Sequence, residues 1–296
     1  MRRPCGVFEG RLPCSAVSCV IGRPVEKRMT RNETPPPELL PASRILVAVN
    51  RDVEDELACA EEYRLGAEIQ TFSLPEMLTR DISGLLSGVA TRVRRLRGPI
   101  GVHGPFIDTT HASSDPEIVR VCRMRYLASL DIAQTLGARY VLFHSQYNTM
   151  LKLETYPDLY HEASLRFWPE ILEAAATRGL AIYIENMFDE DPAPMRRLAD
   201  ALDTPGFKLC LDLAHSQIYS GRSIADWVAA YGRHLAHVHM NDTRGTYDDH
   251  LGLGQGRLDI PAALRSLEST GLPITYALET NAYTRASLEF LGIPRR

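Results

Sequence analysis

Six stretches, 101–106 (GVHGPF), 140–145 (YVLFHS), 181–186 (AIYIEN), 208–215 (KLCLDLAH), 236–242 (AHVHMND) and 275–280 (TYALET), share one pattern: a short apolar run ending in a group able to bind a metal. The terminal groups are His103, His144, Glu185, Asp212 with His215 just beyond it, His239 and Glu279, and they follow one another at intervals of 27 to 41 residues. Such an interval holds one strand and one helix. In a parallel barrel all strand ends open on the same face, so the spacing predicts a ring of carboxylates and imidazoles around one pocket.

From residue 44 onward, β-branched or aromatic runs alternate with amphipathic stretches. Strands are expected at 45–50, 67–72, 100–103, 140–144, 181–185, 208–212, 236–239 and 275–279, and helices at 53–65, 116–136, 160–178 and 261–269. Gly66, Gly137, Gly179 and Gly271 stand where helices should stop in a left-handed cap before the next strand. Repetition of strand, helix, glycine and strand indicates an α/β fold with parallel strands. Eight repeats predict closure into a single (β/α)8 barrel over 44–296. Strand parity agrees, because residues i and i−2 share a face. Glu279 then shares its face with Ala277 and Thr275, and His239 with His237, while Tyr276, Leu278, Val238 and Met240 face the helices. A doubly wound open sheet is the competing fold, but it would gather its ligands at one crevice.

The length of 296 residues suits one barrel, and 45% hydrophobic with 24% charged residues is ordinary for a globular protein. No apolar run approaches the roughly 20 residues that span a bilayer. The net charge is −4, yet residues 1–43 carry +3, leaving −7 on the remainder. Such a body lacks the overall basic field that draws proteins to nucleic acid. Residues 1–43 show no periodicity and contain Pro35, Pro36 and Pro37. They are expected to be an extended or disordered tail, or the product of a start codon placed upstream of Met29. The apolar piece 16–22 is short for a signal peptide. Cys59, Cys122 and Cys210 lie in patterned segments and are expected to be small buried hydrophobes of a reducing compartment, which suits a cytoplasmic protein. Cys5, Cys14 and Cys19 match no zinc spacing.

A single buried His or Asp is more often a hydrogen-bonded structural residue than a ligand. Several placed together are costly unless a cation compensates them. The mixed nitrogen and oxygen set, without cysteine, suits zinc, manganese or cobalt. After the seventh strand, Asp248 and His250 form a D-x-H pair, and Gly252, Gly254 and Gly256 follow. These glycines lack the lysine and helix of a phosphate cradle and are expected to turn the loop tightly over the pocket. His111, His161 and His234 are expected to face solvent. Residues 146–159 are expected to form a lid or wall of the pocket, with Lys152 a solvated surface charge.

Taken in order, VHGPF, FHS, IEN, CLDLAH, HVHMND, DDHLGLGQG and ALET resemble the xylose isomerase-like barrel superfamily, which includes sugar-phosphate isomerases and epimerases and the endonuclease IV type of abasic-site endonuclease. The resemblance spans nearly all of 44–296. Its epimerase branch implies one metal held by Glu185, Asp212, His239 and Glu279. There the two glutamates move the proton at the reacting carbon, and His215 contacts substrate. Its endonuclease branch implies three zinc ions: one at His103, His144 and Glu185, one at Glu185, Asp212, His239 and Glu279, and one at His215, Asp248 and His250. A cluster of that kind activates water and clamps a phosphodiester.

Three features favour the epimerase side, with a small carbohydrate as substrate. The body is acidic. The loop PFIDTTHASSDPE (105–117) has few basic or wedge-like groups. The late glycine loop reads GLGQG where the endonuclease branch carries S-L-G-E-G. The expected cofactor is therefore a divalent metal, Mn2+ or Zn2+, one per chain and up to three. A carbohydrate lyase or dehydratase and a noncatalytic metal-binding module are the remaining alternatives.

Overall fold

The computed structural model describes residues 40–296, so the reading of the N-terminal extension falls almost wholly outside the described residues. Eight parallel strands close into a barrel in sequential order. They are β1 (Ile45–Val49), β2 (Gly66–Ile69), β3 (Ile100–His103), β4 (Tyr140–His144), β5 (Ala181–Glu185), β6 (Phe207–Asp212), β7 (Leu235–Met240) and β8 (Thr275–Leu278). The helices α1 (Val53–Tyr63), α2 (Ser83–Val93), α3 (Pro116–Leu136), α4 (Tyr156–Ala176), α5 (Ala193–Leu202), α6 (Leu213–Ile218), α7 (Ile224–Tyr231), α8 (Ile260–Glu268) and α9 (Thr284–Phe290) connect or follow them. The (β/α)8 barrel expected from the sequence is the fold observed, and β8 pairs with β1 to close it.

Helix α3 shows how local sequence sets an element. The Asp115 side chain caps its start by accepting the Glu117 N–H, Pro116 occupies the first turn, and Gly137 ends it at φ 68°. Cys122, Tyr126, Leu130 and Ala133 form its buried face. Gly137, Gly179 and Gly271 all have positive φ, as expected, but Gly66 does not: the left-handed cap of α1 is Arg64, at φ 56°. Gly66 instead opens β2, where a Cβ would lie 2.2 Å from the Pro99 carbonyl oxygen.

The division of strand faces also holds. Leu46, Tyr140, Leu142, Cys210 and Ala277 pack inside the lumen, while Tyr276, Leu278, Val238 and Met240 belong to the larger core beneath the helices. Leu40 and Ala42 pack into that outer core. Cys59, Cys122 and Cys210 are buried free thiols. Among the described residues, no helix is long and apolar enough to cross a membrane.

Two of the three histidines expected at the surface are buried. His111 lies among Tyr160, Phe167 and Trp168 with Nε2 2.9 Å from Ser164 Oγ, and His234 Nε2 lies 2.8 Å from Asp200 Oδ1. Each ring has a polar partner and an apolar body, so packing took what polarity alone assigned to solvent. His161 is half-buried.

Candidate metal centre

Strands β3 to β7 end on His103, His144, Glu185, Asp212 and, one residue before the end of β7, His239; Glu279 follows β8 directly. All six meet at the C-terminal mouth of the barrel. Glu185, Asp212, His239 and Glu279 each offer a donor atom within 4.8 Å of the others, and so do His103, His144 and Glu185. Glu185 belongs to both sets. Its Oε2 lies 3.5 Å from His103 Nε2 and 3.2 Å from His144 Nε2, and its Oε1 lies 3.2 Å from His239 Nδ1. Glu279 Oε2 lies 3.3 Å from the same Nδ1.

Asp212 is the last residue of β6 and also the N-cap of α6, its Oδ1 accepting the His215 N–H at 2.7 Å. This cap brings His215 to the mouth within one turn. There His215 Nε2 lies 3.3 Å from Asp248 Oδ2, and His250 Nε2 reaches the same oxygen at 3.1 Å. The structure therefore gathers all nine residues singled out from the sequence.

The tautomers follow from the outer hydrogen bonds. Nδ1 of His103, His215 and His250 lies 2.8, 3.0 and 2.9 Å from the carbonyl oxygens of Gly104, Asn186 and Glu279. A carbonyl only accepts, so Nδ1 keeps its proton and Nε2 is the nitrogen that would be freed for a metal at the site. His250 pays for its pose with φ 47°, in the left-handed region.

Two asparagines that the sequence reading passed over orient Asp212. Asn186 accepts the Asp212 N–H at 2.8 Å and donates to its carbonyl at 3.2 Å, while Asn241 Nδ2 donates to Oδ2 at 2.9 Å. Gln70 Nε2 donates to Glu279 Oε1. Glu68, on the lumen face of β2 and fully buried, was also missed. The signal was present in both cases: IEN and HMND each place an Asn one or two residues after a ligand, and Glu68 is the lone acid of an apolar strand.

The donor set fits a divalent cation on chemical grounds. Both Glu185 oxygens and both His239 nitrogens are buried without a hydrogen-bond partner among the described residues. Orphaned charged atoms of this kind are costly unless a cation meets them. Burial raises the Glu185 carboxyl, but the rings of His239, His144 and His103 outweigh it and hold the group well below the usual range. Burial raises Asp212 to about 6, opposed by His215 and assisted by Glu185 and Glu279. Burial lowers His250, yet Asp248 and Glu279 lift it to about 9. Protons on the imidazoles supply positive charge that a metal would displace. Cys210 and His237 also lie near His239, but Thr275, Glu68 and Tyr140 already engage both His237 nitrogens.

Above these donors lies a cavity of about 410 Å³, lined also by Asn50, Arg51, Gln70, Thr71, Phe106 and Met187. None of its lining residues comes from 146–159, which was expected to wall it. That segment borders a separate groove with Glu190 and Asp191, and Lys152 pairs with Glu190 at 2.9 Å on the surface. The glycine loop turns tightly, with Gly254 at φ 77°, and its Asp248 and His250 line the cavity, though the glycines themselves do not. It wraps the buried Asp242, whose carboxylate accepts the N–H groups of Thr243, Gly254, Gly256 and Leu258 at 2.8 to 3.1 Å.

Residues 82–292 match the family model of the xylose isomerase-like TIM barrel. The chain belongs to this family. Among solved structures, this xylose isomerase-like barrel is similar to the TTHB071 protein from Thermus thermophilus, a structure obtained by soaking with ZnCl2, at 30% identity and a TM-score of 0.70, covering 84% of this chain and 96% of that one. It is similar also to a D-tagatose 3-epimerase-like protein at 19% identity and a TM-score of 0.66, covering 84% and 98%. A curated relative is the uncharacterized protein MJ1311 of Methanocaldococcus jannaschii, 23% identical over 61% of this chain. The chain spans just under two thirds, 64%, of that protein's length.

Proposed function

We propose that this xylose isomerase-like barrel is a divalent-metal-dependent isomerase or epimerase of a sugar or sugar phosphate. The observation that carries the reading is the placement of Glu185 and Glu279 at one centre, 3.2 and 3.3 Å from His239 Nδ1. Glu185, Asp212, His239 and Glu279 would hold the cation. When bound, it polarises a carbonyl or hydroxyl of the sugar and makes the adjacent C–H acidic. One glutamate then removes that proton and the other returns a proton to the reacting carbon. His215, one turn beyond Asp212, contacts the substrate's oxygens. A cavity of about 410 Å³ lies in the range of small-molecule sites. Among the described residues its one Lys or Arg is Arg51, far short of a phosphate-tracking surface.

The test is solvent deuterium incorporation into ketopentoses and ketohexoses, free and phosphorylated, followed by NMR with manganese or zinc supplied. Incorporation with a changed product configuration supports the reading. No exchange with any substrate of the panel would sink it.

One observation favours a second reading, a trinuclear zinc phosphodiesterase of the abasic-site type. His103 with His144, and His215 with Asp248 and His250, stand ready beside the four central donors. Zinc-dependent nicking of a duplex at an abasic site would move this reading to the front.

A further inference from the structure

The metal centre contains one inverted imidazole. His103, His215 and His250 give their Nδ1 protons to backbone carbonyls and turn Nε2 inward. His239 does the reverse: Nδ1 faces Glu185 and Glu279, and Nε2 points down the lumen, where Glu68 Oε1 lies 3.0 Å away. The ring N–H is not aimed along that contact, but once a cation occupies Nδ1 the remaining ring proton must sit on Nε2, beside the Glu68 carboxylate.

Glu68 is itself fixed on several sides. Tyr140 O–H donates to Oε2 at 2.7 Å, His237 Nε2 lies 3.1 Å from the same oxygen, and Gln70 Nε2 lies 3.1 Å from Oε1. Gln70 also donates to Glu279. Strand β2 and Gln70 directly after it supply none of the nine donors, yet Glu68 and Gln70 each touch one of them.

We propose that Glu68 is a positioning residue of the metal centre, holding His239 in the tautomer and ring orientation that offer Nδ1 to the cation. The inference rests on the metal-binding part of the function proposed above, and on no particular substrate. Carboxylates behind a ligating histidine characteristically fix the ring and raise its basicity. A purely structural Glu68 would serve only to satisfy Tyr140 and His237 in the lumen, and its replacement would leave metal binding untouched.

The experiment uses the full chain stripped of metal. Zinc affinity is read by competition with a chromophoric chelator, and Co2+ is added separately as a spectroscopic probe. Glu68→Gln keeps the volume and removes the anion. It should weaken zinc by roughly 10- to 100-fold and change the cobalt absorption bands. Tyr140→Phe removes one donor from Glu68 without touching a metal donor, and should weaken zinc by about threefold to tenfold. Thermal melts of the metal-free proteins establish folding, and Tyr140→Phe decides the matter if Glu68→Gln does not fold. A folded variant with zinc affinity within about twofold of wild type and an unchanged cobalt spectrum overturns the positioning role alone. Failure of the wild type to take up either metal overturns the metal centre as well.

Discussion

Glu185 and Glu279 share a neighbour: Oε1 of the first and Oε2 of the second lie 3.2 and 3.3 Å from Nδ1 of His239. Three strands, β5, β7 and the end of β8, are needed to bring these atoms together, and no local segment contains the arrangement. If the two carboxylates are the proton-transfer pair, Glu279→Gln should lower deuterium exchange into a keto sugar by about 100-fold or more. Glu185→Gln should do at least as much, because Glu185 also faces His103 and His144. Exchange at the wild-type rate in either variant would remove the assigned roles.

Metal stoichiometry separates the two readings of the site. With Nε2 of His215 and of His250 both at Asp248 Oδ2, a trinuclear site predicts about three zinc ions per chain by mass spectrometry. Asp248→Asn or His250→Ala would then lose about one of them. A site confined to Glu185, Asp212, His239 and Glu279 predicts about one ion per chain, unchanged in both variants. In either case chelation should lower the melting temperature and added metal should restore it, with a gain in stability of about 2.7 kcal/mol when free metal exceeds its dissociation constant 100-fold. A melting temperature indifferent to chelator would argue against any resident cation.

The strand-end donors were legible because a parallel strand carries its own ruler: alternation marks the face, and the last inward residue marks the mouth. The helices α2 and α5 were not anticipated, since α2 contains Gly84 and Gly88 and α5 is only ten residues long with Pro194 in its first turn. Glu68 was missed because it sits inside a four-residue strand and its partner His237 is 169 positions away. His111 was misplaced for a related reason. The aromatic box that buries it comes from α4, and nothing within its own loop announces the contact.

The burial of His111 has a consequence for acid stability. Desolvation lowers its pKa to about 3, and its Nδ1 has no partner among the described residues. The unfolded chain takes up a proton near pH 6.5, whereas the folded ring resists until about 3. Stability from the neutral ring is therefore complete above pH 6.5 and declines as pH falls through that window. The loss is about 2 kcal/mol by pH 5. His111→Phe fits the surrounding Tyr160, Phe167 and Trp168 in character and should flatten the fall in melting temperature between pH 7 and 5. Parallel pH profiles for variant and wild type would show that His111 does not set the acid limb.

Asp242 offers the sharpest structural test of the D-x-H loop. Its carboxylate gathers four backbone N–H groups, and its own backbone pairs with Leu251, immediately after His250. A side chain at Gly256 would enter this cradle, with a Cβ only 2.2 Å from Asp242 Oδ1 and 2.5 Å from the Thr243 carbonyl oxygen. Gly256→Ala should therefore force the loop open and cost about 1–3 kcal/mol. Asp242→Ala should cost at least as much, since it leaves several buried donors without an acceptor. Because the same loop carries Asp248 and His250, a trinuclear site should lose the metal at those residues before metal at the four central donors. Isothermal titration with zinc would show the loss as a missing weak or late phase while the first equivalent still binds. Unchanged titration curves in a destabilised Gly256→Ala protein would mean that the cradle holds the fold and not the site.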